Sequence, residues 1–464
     1  MNTVISNKIF VQNASPELKK WCESNLLVVN PKWDTLMRLG KQDQITRYHI
    51  EPQMALYVQN GTNLVIPFGC LYAIWNMIKD SPYRLELNQA QFIKNREEQI
   101  TQPLYDYQEE AVQKMLFAKG GVLVAPCSAG KTNIMIEIIH RIGLKFLFIV
   151  HTADLLRQFY NRAKSLYPQM KIGMITEGKV DIGRDGAVAT IQTLDKIDKE
   201  FYNKEFGVVI CDECAHVSGS PTLSKMFSRV IGSIPARYKF GCTATPERSD
   251  TLIKSMYTIL GVNTEGKFEP VYEISRSKTR SLTANHIKVE TGTKFSYEFL
   301  SDDGTFDFNK LIDYLSYNEE RNKLIVDLVT KEKELSHKIL ILCHRIEHCK
   351  ILNQMLQEKG VNSVLLIGKV SNKQRQAILT ETTEWDVIVG TYSLAKEGLD
   401  LPCLNALIMA TPINDKGMTI QCVGRVERFK EGKETPIVYD LCDEKIPYCA
   451  NRFKKRVGYL RKRY

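Results

Sequence analysis

The sequence predicts an α/β protein made of two tandem parallel-sheet domains preceded by a small α+β domain. Short, wholly apolar runs alternate with helical patterns in two separate series, the signature of strands buried on both faces of a sheet. Only the first series contains a turn of the form Ala125-Pro-Cys-Ser-Ala-Gly-Lys-Thr132, set between an apolar run and a helix. At 464 residues the chain also exceeds one ordinary domain. The expected divisions are 1–100, 101–270 and 271–464.

Composition narrows the class. Hydrophobic residues at 44% and charged residues at 25% are those of a soluble globular protein. No apolar run reaches transmembrane length, and the N-terminus lacks a basic-then-apolar signal, so the expectation is a cytoplasmic protein without a membrane partner. The twelve cysteines are dispersed. Cys211 and Cys214 lack a second pair at zinc-finger spacing, so reduced structural thiols are expected. A net charge of +10 suits a polyanionic partner.

The first hundred residues carry Trp21, Trp33, Trp75 and the apolar stretch Leu64–Tyr72. These read as a domain with its own core rather than as base-stacking rings. The polar run Lys94-Asn-Arg-Glu-Glu98 reads as a linker. Then comes Leu104-Tyr-Asp-Tyr-Gln-Glu-Glu-Ala-Val112. The Gln108 amide offers the donor and acceptor that an adenine edge needs, and Tyr105 can stack on a base.

The strand Val122–Val124 leads into the turn, and Ile134, Met135, Ile138, Ile139 and Ile142 mark the helix that leaves it. This is a phosphate loop in its proper context. Backbone N–H groups around Ala129 and Gly130 would face phosphate oxygens, and Gly130 has no Cβ to obstruct them. Lys131 would reach the β/γ-phosphates, and the Thr132 hydroxyl would ligate Mg²⁺. Further strands are expected at Phe146–Val150, Ala187–Thr190, Val208–Cys211 and Tyr238–Cys242, with chemistry at their carboxyl ends. There, Asp212 would hold the metal and Glu213 would polarise a water. His216 would sense the site. Thr243 and Thr245 follow, placed to link it to the neighbouring domain.

Residues 266 to 310 read as a crossing segment or edge strand, with Phe295, Tyr297 and Phe299 continuing its alternation; no chemistry attaches to them. The second series has strands at Ile339–Leu342, Val364–Ile367, Asp386–Val389, Ala406–Ala410 and Pro436–Tyr439, and no phosphate loop. It carries Gly390-Thr-Tyr-Ser-Leu-Ala-Lys-Glu-Gly-Leu-Asp-Leu-Pro402 and Gln421-Cys-Val-Gly-Arg-Val-Glu-Arg428. Arg425 and Arg428, three apart, would share a helix face and neutralise a transferring γ-phosphoryl. The basic segment from Arg452 onward reads either as a phosphate-contacting helix or as a solvated end.

The order of these motifs resembles superfamily 2 helicases and translocases from residue 101 to about 445. The resemblance implies two RecA-like domains with a cleft that binds ATP and Mg²⁺, and nucleic acid across the top of both. Gln108, Gly130, Lys131, Thr132, Asp212, Glu213, Gly398, Asp400, Arg425 and Arg428 would line the nucleotide site. His151, Thr190, Gln192, Thr193, Thr391 and Tyr392 would track the nucleic-acid backbone, with Gln421 among the coupling residues. Ala125 replaces the glycine of the simplest phosphate loop, and Asp106 stands where many relatives have a basic or small residue. The motif set is most similar to phage fork-remodelling and branch-migrating helicases and the XPB-like group. That implies a monomeric ATP-driven enzyme acting on single-stranded, forked or branched DNA, with RNA the lesser expectation. Two alternatives stay open: an RNA helicase, and an ATP-switched junction binder that does not unwind.

Overall fold

The computed structural model describes residues 1–91, 99–217, 226–246, 252–302, 304–368, 377–378, 384–396, 399 and 401–461. The linker expected at Lys94–Glu98 lies outside them. The chain forms two compact units, one of Met1–Pro126 and Gly130–Ser275, the other of Cys127–Ala129 and Arg276–Tyr464. No helix among the described residues is long and apolar enough to cross a membrane.

The first unit begins with β1 (Asn2–Ile5), β2 (Lys8–Gln12), β3 (Leu27–Val29), β4 (Gln53–Ala55), β5 (Val58–Asn60), β6 (Asn63–Pro67) and β7 (Tyr83–Leu85). Five of them form a sheet in the order β5-β6-β2-β1-β7, and β3 pairs with β4. Alternation puts Ile5, Ile9, Val11, Leu64 and Ile66 on one covered face. The Pro16–Asn25 and Leu71–Ile78 helices add Leu18, Cys22, Ile74 and Ile78 to the same core. Ser15 caps the first of these, its Oγ accepting the Leu18 N–H at 3.2 Å, with Pro16 pre-set for the opening turn. Trp21 and Trp75 pack against this core.

The larger sheet of this unit contains β8 (Gly121–Val124), β9 (Phe146–Val150), β10 (Ile172–Thr176), β11 (Lys179–Val180), β12 (Gly186–Thr190), β13 (Val208–Asp212), β14 (Tyr238–Thr243) and β15 (Tyr272–Glu273). Its order is β11-β10-β12-β9-β13-β14-β8-β15, parallel except for β11. The apolar runs do form the central strands, and Cys211 and Cys214 belong to their core. Three strands, β10, β11 and β15, were not foreseen. β10 is broken in pattern by Gly173, where a Cβ would lie 2.1 Å from the Asp181 carbonyl oxygen. β15 has only two residues.

The second unit contains β16 (Asn285–Glu290), β17 (Lys338–Cys343), β18 (Ser363–Leu366), β19 (Val387–Thr391), β20 (Leu404–Met409) and β21 (Ile437–Cys442). All are parallel, in the order β16-β21-β20-β17-β19-β18. β16 is the edge strand anticipated near His286, in register from Asn285 opposite Ile437 to Glu290 opposite Cys442. Phe295, Tyr297 and Phe299 do not extend it. They enter a 3-10 turn, Tyr297–Phe299, because Phe299 turns inward to a small core with Leu311, Leu315, Ile446 and Cys449.

This unit also buries charge in pairs. Arg321 Nε donates to Asp443 Oδ1 at 2.9 Å, and Arg456 Nη2 to Asp440 Oδ1 at 2.6 Å. Arg456 sits in the basic Pro447–Arg461 helix and is 1% exposed. That arginine is therefore structural: its buried carboxylate partner claims the charge that a phosphate would need. Removing one member of such a pair typically costs about 3–5 kcal/mol.

Candidate active site

Strands β13, β14 and β8 lie side by side, so their carboxyl ends converge. The Ala125 N–H donates to the Thr243 carbonyl at 3.0 Å, tying the phosphate loop to the strand beside it. Gly130 adopts φ +75°, and a Cβ there would sit 2.2 Å from Gln108 Nε2, so only glycine fits. Gln108 is 3% exposed and its Oε1 accepts the Tyr105 N–H at 3.1 Å. It thus closes the start of the Asp106–Ala118 helix while its amide nitrogen lies against the loop. Tyr105 stacks on Tyr107 at 5.8 Å and remains 40% exposed. Ala129 is buried.

The Lys131–Ile142 helix starts directly after Gly130 and has no acidic residue in its first turn. Its positive end is therefore uncompensated by its own side chains, as an anion site requires. Lys131 Nζ lies 3.4 Å from the Ala125 carbonyl oxygen, folded back over the loop. Thr132 is half-buried on the same turn.

Asp212 ends β13. Its Oδ1 accepts the Glu213 N–H at 3.0 Å and the Cys242 thiol at 3.3 Å. Burial, and then the Glu213 charge, raise the Asp212 carboxyl above its usual range, while Lys131 pulls it back. The Asp212 carboxylate and the Thr132 hydroxyl, both at this sheet edge, are oxygen donors of the kind a divalent cation takes. Glu213 sits in left-handed backbone at φ +47°. Its Oε2 lies 3.4 Å from Thr243 Oγ1, which also accepts the Thr245 N–H at 3.2 Å. His216 closes the 3-10 turn Cys214–His216 that follows. One sheet edge therefore gathers the phosphate loop, the carboxylate pair and the two threonines.

The nucleic-acid candidates of this unit lie one and two strands along from β13. Gln192 Nε2 donates to the His151 carbonyl at 3.0 Å, and the Thr190 and Thr193 hydroxyls are 2.8 Å apart. β9 and β12 are paired neighbours, so these four residues share the carboxyl edge.

In the second unit Thr391 ends β19, its hydroxyl 2.7 Å from Ser393 Oγ. Tyr392 does not face outward as the resemblance implied. It is 4% exposed, and its hydroxyl donates to the Thr411 carbonyl at 2.6 Å, because the ring is needed in the core. Gly398 and Asp400 lie outside the described residues. Gln421 and Arg425 lie on the Lys416–Val426 helix, and Arg425 Nη1 donates to the Leu399 carbonyl at 3.0 Å. Arg428 is not on that helix face. The helix ends at Val426, with Glu427 as its cap, so the two arginines belong to different local structures.

The reason is Glu427, which carried no expectation. It is fully buried, its carboxylate pairing with Arg276 at 2.9 Å and accepting the Ala284 N–H at 3.3 Å. Lys433 Nζ then donates to the carbonyls of Val426 at 2.6 Å and Arg428 at 2.9 Å, fixing the exit. A glutamate between arginines reads as solvated surface in sequence, and its distant partner Arg276 leaves no local signal.

Residues 101–248 match the family model "Type III restriction enzyme, res subunit", and residues 320–430 match "Helicase conserved C-terminal domain". A putative ATP-dependent RNA helicase of Acanthamoeba polyphaga mimivirus is 28% identical over 76% of this chain and 66% of its own length. A probable helicase of Escherichia phage T5 is 26% identical over 67% of this chain and 65% of its own. The chain thus spans just under two thirds of either relative. A DNA 3'-5' translocase of Sulfurisphaera tokodaii is 26% identical over 76% of this chain and 84% of its own.

Proposed function

The chain belongs to the superfamily 2 helicases, with tandem RecA-like domains, and from that membership we propose that it couples ATP hydrolysis to unwinding or translocation on forked or branched DNA. The observation that carries hydrolysis is the meeting of Lys131, Asp212, Glu213 and Thr243 at one sheet edge. A nucleotide-operated switch that never turns over has no use for a carboxylate braced on a threonine.

In this reading Lys131 and the loop amides hold the β- and γ-phosphates. Asp212 and Thr132 would hold Mg²⁺, which would supply charge neutralisation. Glu213 takes the proton of the attacking water, and Thr243 and Thr245 pass the change onward. Arg425 and Arg428 neutralise the departing charge. His151, Thr190, Gln192, Thr193 and Thr391 contact phosphates, so binding is sequence-tolerant and salt-sensitive.

DNA is favoured by the archaeal relative's description as a DNA translocase, and an α+β region precedes the helicase segments. That region supplies the selectivity for forks. An RNA substrate is the second reading, supported by the mimivirus relative's description. ATP turnover measured with matched single strands, duplexes, forks and four-way junctions in DNA and RNA separates them. Stimulation by branched DNA with strand displacement is expected. Stimulation by RNA alone would transfer the enzyme to the second reading.

A further inference from the structure

The loop leaving β16 presents two large rings that packing leaves outside. Tyr297 is 84% exposed and Phe295 43%. They stand on a firm root. The Phe295 ring meets fully buried Phe299 edge-on at 5.5 Å, and Tyr297 meets Phe295 at 6.0 Å. Ser296 Oγ accepts the Glu298 N–H at 3.2 Å and fixes the turn between them.

Their place in the sheet is informative. All six strands are parallel, so the segments after β16, β17 and β19 emerge at the same edge. Phe308 lies 5.5 Å from the ring of His344, directly after β17, and His344 lies 5.0 Å from Tyr392, directly after Thr391. The exposed rings therefore stand at the edge that holds Thr391. Lys294 and Lys445, both exposed, are bridged side by side through their backbones next to Phe295. Glu298 is the acid on the same turn. Amines for phosphates beside rings for bases is the composition that holds a single strand without reading its sequence.

We propose that Phe295 and Tyr297 form a base-stacking platform for one nucleic-acid strand crossing the carboxyl edge of the second unit's sheet. The platform rests on the reading of the chain as a nucleic-acid motor and adds a contact to bases where the other candidates contact phosphates. Because stacking needs a free base face, it favours an unpaired strand over a duplex.

The test uses the full chain and thymidine oligonucleotides, in DNA and RNA, carrying a single 2-aminopurine moved along the strand. Stacking on a ring changes its fluorescence. Wild type and Tyr297→Phe should show a position-dependent change. Tyr297→Leu and, independently, Phe295→Leu should lose it, bind the strand about tenfold more weakly, and keep ATP turnover without nucleic acid unchanged. Leucine variants with wild-type affinity and signal would remove the platform and leave the motor reading intact. A wild-type chain that binds neither oligonucleotide would remove both.

Discussion

Glu213 occupies backbone that most residues avoid, and the strain is informative because it falls on a carboxylate. The left-handed turn brings its N–H onto Asp212 and its side chain toward Thr243, so the two acids are held apart in role although adjacent in sequence. Glu213→Gln should lower ATP turnover about a hundredfold or more while nucleotide binding survives. Lys131→Ala should abolish turnover by weakening nucleotide binding itself, and nucleic-acid affinity should persist without ATP. Equilibrium binding of a fluorescent nucleotide beside steady-state turnover distinguishes the two variants. Lys131, Asp212 and Glu213 were legible in the sequence because their spacing to a strand end is local. Tyr392 was misplaced, since a tyrosine one residue beyond a strand can point either way and only the core behind it decides. Glu427 stayed invisible because Arg276 lies far off in sequence.

Among the elements, the wholly apolar strands were readable wherever burial is complete, as in Phe146–Val150, where every position is buried. β15 was not, because two residues carry no periodicity. The Ile346–Glu358 helix has a chemical liability of its own. His348 on it and His344 just before it are pushed down to about 3 and about 4, chiefly by burial; Arg321 for His348 and Arg345 for His344 add to the effect. Below pH 6.5 the unfolded chain takes up protons that the folded rings refuse, so their contribution to stability is complete above pH 6.5 and is lost as pH falls toward about 4 for His344 and about 3 for His348. His348→Leu should flatten that dependence by about 1.4 kcal/mol per pH unit, measured by urea unfolding at pH 7, 6 and 5. An unchanged slope would mean that His348 is protonated in the folded state.

For the whole molecule, two compact units imply two separable unfolding steps. Trp385, 2% exposed, belongs to the second unit, whereas Trp21, Trp33 and Trp75 belong to the first. The Trp385→Phe difference spectrum should therefore isolate one transition in urea, and acid should move that transition more than the other. A single coincident transition for all four tryptophans would refute it. The units divide between Ser275 and Arg276, where the expected division was 270/271, and the first unit also takes in the region expected to stand apart at 1–100. The pairing of β16 with β21 has a bearing on how the protein is made. Synthesis delivers Asn285–Glu290 long before Ile437–Cys442, its one neighbour in the sheet among the described residues. Throughout that interval the growing polypeptide carries an unpartnered edge, open to a chaperone or to the same segment on an adjacent nascent chain.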